Sequence, residues 1–175
     1  ETAVTRGDSY IGEDISSNAR TIKSIPLKLS SFIKQTDFLL AGRTEVRGEI
    51  VMLKKDFDAL NKIQRKNKEP EFANPRNLAA GTIRQLDPSL VASRPLQFRA
   101  YDLIYENSAL IPSNNLAYTF LTEIGFIRNK EIGVFENTTK LIDFINIWNE
   151  KRNDLPFNTD GVAIKVNNRE QFNEL

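Results

Sequence analysis

The sequence predicts an α+β fold, antiparallel β-sheets with helices packed against them, and three observations carry that expectation. Segments of strand period occur beside segments of helical period, the two do not follow the strict βαβ order of a doubly wound parallel sheet, and Gly and Pro punctuate them. The length of 175 residues suits one domain able to bury a core. No linker, repeat, low-complexity tract or second domain is expected.

Taken in order, Thr5-Arg6-Gly7-Asp8-Ser9 is a turn-like cluster, and Gly12-Glu13-Asp14 can begin a short helix through Ile15 to Arg20. From Glu45 to Met52, Val46, Gly48, Ile50 and Met52 alternate with Glu45, Arg47, Glu49 and Val51, the period of a strand with one buried face. Asp56 can cap a helix carrying Phe57, Leu60 and Ile63. Asn74-Pro75 is an N-cap followed by proline at the first helical position, and that helix is expected to run to about Leu86. Leu96 to Leu103 reads as a second strand, with Leu96, Phe98 and Ala100 on one side and Arg99 and Tyr101 on the other. Leu116, Phe120 and Ile124 form a helical stripe stopped at Gly125. Thr138 or Thr139 can cap a further helix with Leu141, Ile142, Phe144, Ile145 and Trp148 on its apolar side. Val162, Ile164 and Val166 alternate with Ala163 and Lys165, which makes Lys165 the only charge in a short apolar strand.

Composition excludes whole classes of chemistry. With 40% hydrophobic and 27% charged residues the chain reads as soluble and globular. Cys 0 removes disulfides, thiolate nucleophiles and cysteine metal sites, and His 0 removes imidazole bases, Ser-His-Asp triads and histidine-ligated zinc. The remaining Lys, Arg, Asp, Glu, Ser, Thr and Tyr suit charge stabilisation around phosphates. A net charge of +1 gives no global field for nucleic acid, so such contacts would be local. No apolar run approaches the roughly 20 residues of a membrane span. The start lacks Met and a signal pattern, which implies a cytoplasmic piece of a longer protein. P-loop and dinucleotide fingerprints are absent from the sequence.

Several charged residues stand out. Arg47 and Glu49 project from one strand face and either bind a ligand or satisfy each other. Lys165 must snorkel, pair, or point into a cleft. Arg76 opposes the dipole at the start of its helix, which a phosphate or a carboxylate would relieve, and Arg84 follows about two turns on. Gly7 beside Arg6 lets a backbone approach a ligand closely, or simply makes a surface turn.

Read together, these fragments form five ordered blocks. Thr5-Arg6-Gly7-Asp8 with Gly12-Glu13-Asp14, Arg20-Thr21-Ile22 with Ile25-Pro26-Leu27, and Glu45-Val46-Arg47-Gly48-Glu49 are followed by Phe72 to Pro88 and by Leu155-Pro156 with Asp160 to Asn167. They resemble the adenylation domain of bacterial NAD-dependent DNA ligases across nearly the whole chain. The resemblance implies the nucleotidyltransferase fold, here incomplete, with residues 1–175 as its central to C-terminal part. It implies that a lysine takes AMP from NAD, that AMP then passes to a DNA 5′-phosphate in nicked double-stranded DNA, and that magnesium assists in a monomeric enzyme of replication and repair.

Residue by residue, the resemblance makes Arg6 a nucleotide contact and Glu49 the acidic residue facing the adenylate ribose. Tyr101 falls where the family has an aromatic against adenine, and Lys165 where it has a lysine beside the adenylyl phosphate. Asp160 matches an acidic residue that helps organise metal, while Arg76, Arg84 and Arg152 match arginines that contact phosphate or DNA. The family nucleophile lies in Lys-x-Asp-Gly, which is absent from this sequence, and Ser9 stands where the family usually has glycine. Two other readings are a degenerate, noncatalytic nucleotide- or DNA-binding module and an ATP-using ligase or capping nucleotidyltransferase.

Overall fold

The structure, a computed structural model, describes residues 2–8, 10–29 and 36–174. Ser9 lies outside the described residues. In chain order the elements are α1 (Ser16–Ala19), α2 (Phe38–Ala41), β1 (Thr44–Met52), α3 (Lys54–Asn67), α4 (Pro75–Ile83) and α5 (Pro88–Ser93). There follow β2 (Leu96–Tyr105), α6 (Asn114–Glu123), α7 (Thr138–Lys151) and α8 (Arg169–Asn173). β1 and β2 form a two-stranded antiparallel sheet, prolonged where the Glu106 amide donates to the Arg43 carbonyl at 3.2 Å. The architecture is α+β.

The chain divides into two compact units. The first comprises Glu1–Leu27, Ile50–Phe98 and Pro156–Asn158. Its core is Ile15, Ile22, Met52, Leu78, Ala79, Ile83, Val91 and Leu96, with Phe57 and Phe72 packed against it. α4 begins as its sequence dictates: Asn74 accepts the Asn77 amide at 2.7 Å, and Pro75 occupies the first turn, where its missing N–H costs nothing. It stops at Ile83, short of the expected Leu86. The buried Asn18 amide donates to the carbonyls of Ile83 and Gln85, each at 2.7 Å, taking up groups that a helix end leaves unsatisfied. Asp87 then caps α5, accepting the Ser89 amide at 2.8 Å.

The second unit comprises Lys28–Glu49, Arg99–Leu155 and Thr159–Leu175. Leu39, Leu103, Ile111, Leu121 and Ile124 are buried there, and Phe38 meets Tyr105 and Phe120 edge-on at 5.0 and 5.8 Å. Ser113 caps α6, and Gly125 (φ 95°) ends it with the Phe126 amide returning to the Leu121 carbonyl at 2.9 Å, a Schellman closure.

Three sequence expectations are corrected. α3 starts at Lys54, so Asp56 lies inside its first turn and makes no cap. The cap of α7 is Asn137, which accepts the Lys140 amide at 3.0 Å, because a helix closes on the residue preceding its first turn, here not Thr138 or Thr139. Residues 162–166 are not a strand, and Val162, Ile164 and Val166 are 46, 61 and 37% exposed. Alternation favours an extended backbone, but a strand exists only where a neighbour supplies the ladder. Here the Asn114 Nδ2 bond to the Val166 carbonyl at 2.7 Å anchors one end.

Burial in β2 changes parity, since Ala100 (2% exposed) and Leu103 (0%) would face opposite sides of a regular strand. Burial in this strand is therefore not confined to one face. Leu103→Ala is expected to cost about 2–5 kcal/mol in denaturant unfolding. The fully exposed Leu86, changed to Ala, is expected to cost less than about 0.5 kcal/mol.

Candidate functional site

In the second unit, Tyr101 presents an exposed ring on β2, and the Lys165 ammonium lies 5.7 Å from the ring centroid. Such a cation over an aromatic face contributes about 0.5–1 kcal/mol at an exposed site. Lys165 Nζ is also 3.9 Å from Asp102 Oδ2, an electrostatic separation too long for a hydrogen bond. Asp102 is held more firmly by others. Its Oδ1 accepts the Leu103 amide at 2.9 Å and an Arg169 Nη2 bond. Arg169 donates in addition to the Leu103 carbonyl at 2.7 Å through Nη1 and to Asn114 Oδ1 at 3.1 Å through Nε.

The sequence places Tyr101 and Lys165 and misses Asp102, Arg169 and Asn114. Asp102 carried a signal, being the acid next to Tyr101 in an apolar strand, whereas Arg169 lies outside every quoted block. On β1, Arg47 Nε donates to Glu45 Oε1 at 2.6 Å. The Glu45 hydrogen bond, with the charge of Asp102 and Tyr101 nearby, raises the Arg47 pKa above the ordinary arginine value. Glu49 is exposed.

The first unit holds Arg6, Arg76 and Arg84, all exposed. Arg6 enters a tight loop closed by the antiparallel Val4–Asp14 bridge and by the Thr5 amide bonded to the Glu13 carbonyl at 2.9 Å. Gly7 is required there: its φ is +55°, and a Cβ would overlap the Ile11 carbonyl. Asp8 Oδ1 accepts the amides of Ile11 and Tyr10 at 2.7 and 2.9 Å and stiffens the turn. Arg84 Nε meets Glu13 Oε2 at 3.1 Å. Both side chains are more than half exposed, so the pair is worth at most about 1 kcal/mol and a phosphate can displace the carboxylate.

A second buried amide fixes the start of this block. Asn61 Oδ1 accepts the Phe72 amide at 2.8 Å and its Nδ2 donates to the Phe72 carbonyl at 3.2 Å. Phe72 then lines a cleft of about 370 Å³ with Asn74, Asn77, Leu78, Gly81 and Arg94. Arg94 lies over the Phe72 ring and donates to the buried Thr82 hydroxyl at 2.7 Å.

Arg152 and Asp160, in the second unit, are exposed. Among the described residues no group of three or more acidic side chains forms a metal cage. Asp160 alone fits a magnesium ion only in the manner in which that ion takes one carboxylate and completes its shell with phosphates and water. No described helix is long and apolar enough to cross a membrane.

The sequence matches the family described as NAD-dependent DNA ligase adenylation domain over residues 1–175. The chain belongs to this family. As an adenylation-domain chain it is similar to proteins named DNA ligase: 46% identical over 172 residues to that of Oceanobacillus iheyensis, and 40% over 173 residues to that of Syntrophomonas wolfei. A DNA ligase of Koribacter versatilis is 43% identical over 166 residues. These alignments cover 98, 99 and 94% of the chain but 24, 25 and 24% of the relatives, so the adenylation-domain chain spans about a quarter of their length.

The Arg6 loop of this domain yields a pH prediction. The two backbone bonds lower the Asp8 carboxyl below its ordinary value. A depressed folded pKa means that the stabilisation is complete above the unfolded carboxylate pKa and is lost as pH falls through the folded one. The amide resonances of Tyr10 and Ile11 are expected to titrate with the Asp8 carboxyl carbon, at a midpoint below that of an unstructured aspartate. A midpoint at the ordinary value would show that the turn does not hold Asp8.

Proposed function

We propose that this chain is the nucleotide-binding part of an NAD-dependent DNA ligase that adenylylates its own lysine, passes AMP to a DNA 5′-phosphate and seals nicks in duplex DNA. The observation that carries the reading is the Lys165 ammonium held over the exposed Tyr101 ring, in a chain of the ligase adenylation family. NAD enters as the substrate and AMP donor. A base stacked on an aromatic side chain gains about 1–3 kcal/mol, which suits Tyr101 to adenine. Lys165 then lies where a fixed cation stabilises charge on the transferring phosphoryl group without moving a proton.

Glu49 is assigned to the ribose hydroxyls, as an exposed carboxylate acceptor on β1, and Arg6 to the bound nucleotide. Arg76, Arg84 and Arg152 are assigned to phosphates of nucleotide or DNA, a role for which the weak Arg84–Glu13 pair leaves Arg84 ready. The lysine that accepts AMP belongs to residues of the full-length protein outside this chain. Magnesium, held by Asp160 and by substrate phosphates, supplies charge neutralisation when bound. The enzyme is proposed to act as a cytoplasmic monomer in replication and repair.

Intact-mass spectrometry of the full-length protein after incubation with magnesium and either NAD or ATP tests this reading. A gain of one adenylyl group with NAD alone is expected. A gain with ATP alone would assign the chain to an ATP-using nucleotidyltransferase, and no gain from folded protein would make it a noncatalytic nucleotide- or DNA-binding module. Lys165→Ala is expected to slow single-turnover adenylylation about a hundredfold or more. An unchanged rate would remove Lys165 from the chemistry.

A further inference from the structure

We propose that Arg169 is a positioning residue for Lys165 and acts by occupying the carboxylate of Asp102. The inference rests on the role assigned to Lys165 above and concerns how that ammonium is kept available to a phosphate. One carboxylate faces two cations here. Left with Lys165 alone, Asp102 would form a close ion pair with it, and the ammonium would be both displaced and neutralised. Arg169 prevents this by geometry.

Its planar fork takes Oδ1 of Asp102, which also accepts the Leu103 amide, so the carboxylate cannot swing. Only Oδ2 faces Lys165, at 3.9 Å. The other two bonds of the fork, to the Leu103 carbonyl and to Asn114, pin Arg169 to the strand and to the start of α6. The side chains of Asp102 and Arg169 are 19 and 18% exposed, against 33% for Lys165. The pair is thus shielded and charge-assisted, while the lysine remains open to a ligand. With one negative and two positive charges, the cluster keeps a net positive charge at its exposed end.

The segment bearing Lys165 is tied down through the backbones of the same residues. The Asn114 amide donates to the Asn167 carbonyl at 2.9 Å, and the Arg169 amide donates to the Pro112 carbonyl at 3.0 Å. These backbone bonds set where the Lys165 segment lies, and the Arg169 side chain, through Asp102, sets what the ammonium meets. An arginine is needed, since a lysine cannot make three planar bonds at once.

The test is single-turnover adenylylation by the full-length protein from NAD, comparing Lys165→Ala, Arg169→Ala and the double variant Arg169→Ala with Asp102→Asn. Arg169→Ala is expected to lower the rate constant about ten- to hundredfold, because a reacting group displaced by an ångström costs that much. The NAD concentration at half saturation should change little. Adding Asp102→Asn removes the freed negative charge and is expected to restore most of the rate. A purely structural Arg169 would show no such rescue, because the second substitution removes one more contact.

An unaltered rate for Arg169→Ala, or a loss that Asp102→Asn fails to relieve while Lys165→Ala remains impaired, overturns this inference and leaves the proposed function standing. An unaltered rate for Lys165→Ala overturns the proposed role of Lys165 and this inference with it. Should Arg169→Ala not fold, Arg169→Lys keeps the charge without the fork. A smaller loss relieved by Asp102→Asn is then expected, and an unrelieved loss counts against the proposal.

Discussion

A cation that is to act on a phosphate has to be held in place without being neutralised, and with neither His nor Cys in the sequence that constraint falls on lysine and arginine. For the roles proposed for Lys165 and Arg84, the observed contacts suit it in two ways. Lys165 stands at a distance from a carboxylate already engaged by Arg169, and it rests against the face of Tyr101, which attracts a cation without discharging it. Arg84 is paired with Glu13 at hydrogen-bond distance, but in water, where such a pair is weak enough to be exchanged. Shielded pairs fix geometry and exposed pairs remain available to a ligand. The difference follows from burial alone.

Backbone placement in the first unit depends on neutral groups. The side-chain amides of Asn18 and Asn61, both buried, take up carbonyls and an amide at the two ends of residues 72–85. A buried backbone group left unpaired costs about 1–3 kcal/mol, so each amide makes one conformation of the chain much cheaper than its alternatives. Between these anchors Asn74 and Pro75 start α4, and the Asn18 bonds finish it. Arg76 and Arg84 are consequently presented from a helix whose first and last turns are both specified.

Most of the fold was legible because the signals were local. Strand period in 45–52 and 96–103, the Asn74-Pro75 start and the Gly125 stop each depend on a few adjacent residues, and each element is present. Tyr101 and Lys165 were legible as candidate residues through the family resemblance, and they come together in the second unit. What failed depended on partners distant in sequence. The apolar alternation of 162–166 could not reveal whether a neighbouring strand lies alongside, and the end of α4 was set by Asn18, some 65 positions away. Arg169 was missed for the same reason, since its meaning comes from Asp102, 67 positions earlier.

The loss of the expected strand changes the account of Lys165 without removing its position. A regular strand would have fixed the residue through its ladder, whereas the observed segment is fixed at its C-terminal side, where Asn114 and Arg169 hold residues 166–169. The side-chain interactions of Lys165 itself are too weak to do this: the ring contact gives about 0.5–1 kcal/mol, and a partly exposed pair at 3.9 Å no more than that. Together those energies do not exceed the rotamer entropy of about 2 kcal/mol that a lysine surrenders when ordered. The location of the ammonium is therefore decided mainly by the backbone anchors, and how closely a carboxylate approaches it by the neighbours of Asp102. A substitution that leaves Lys165 intact but loosens either set should alter how the ammonium meets an anion, which places the sensitivity of this site in residues that carry none of its chemistry.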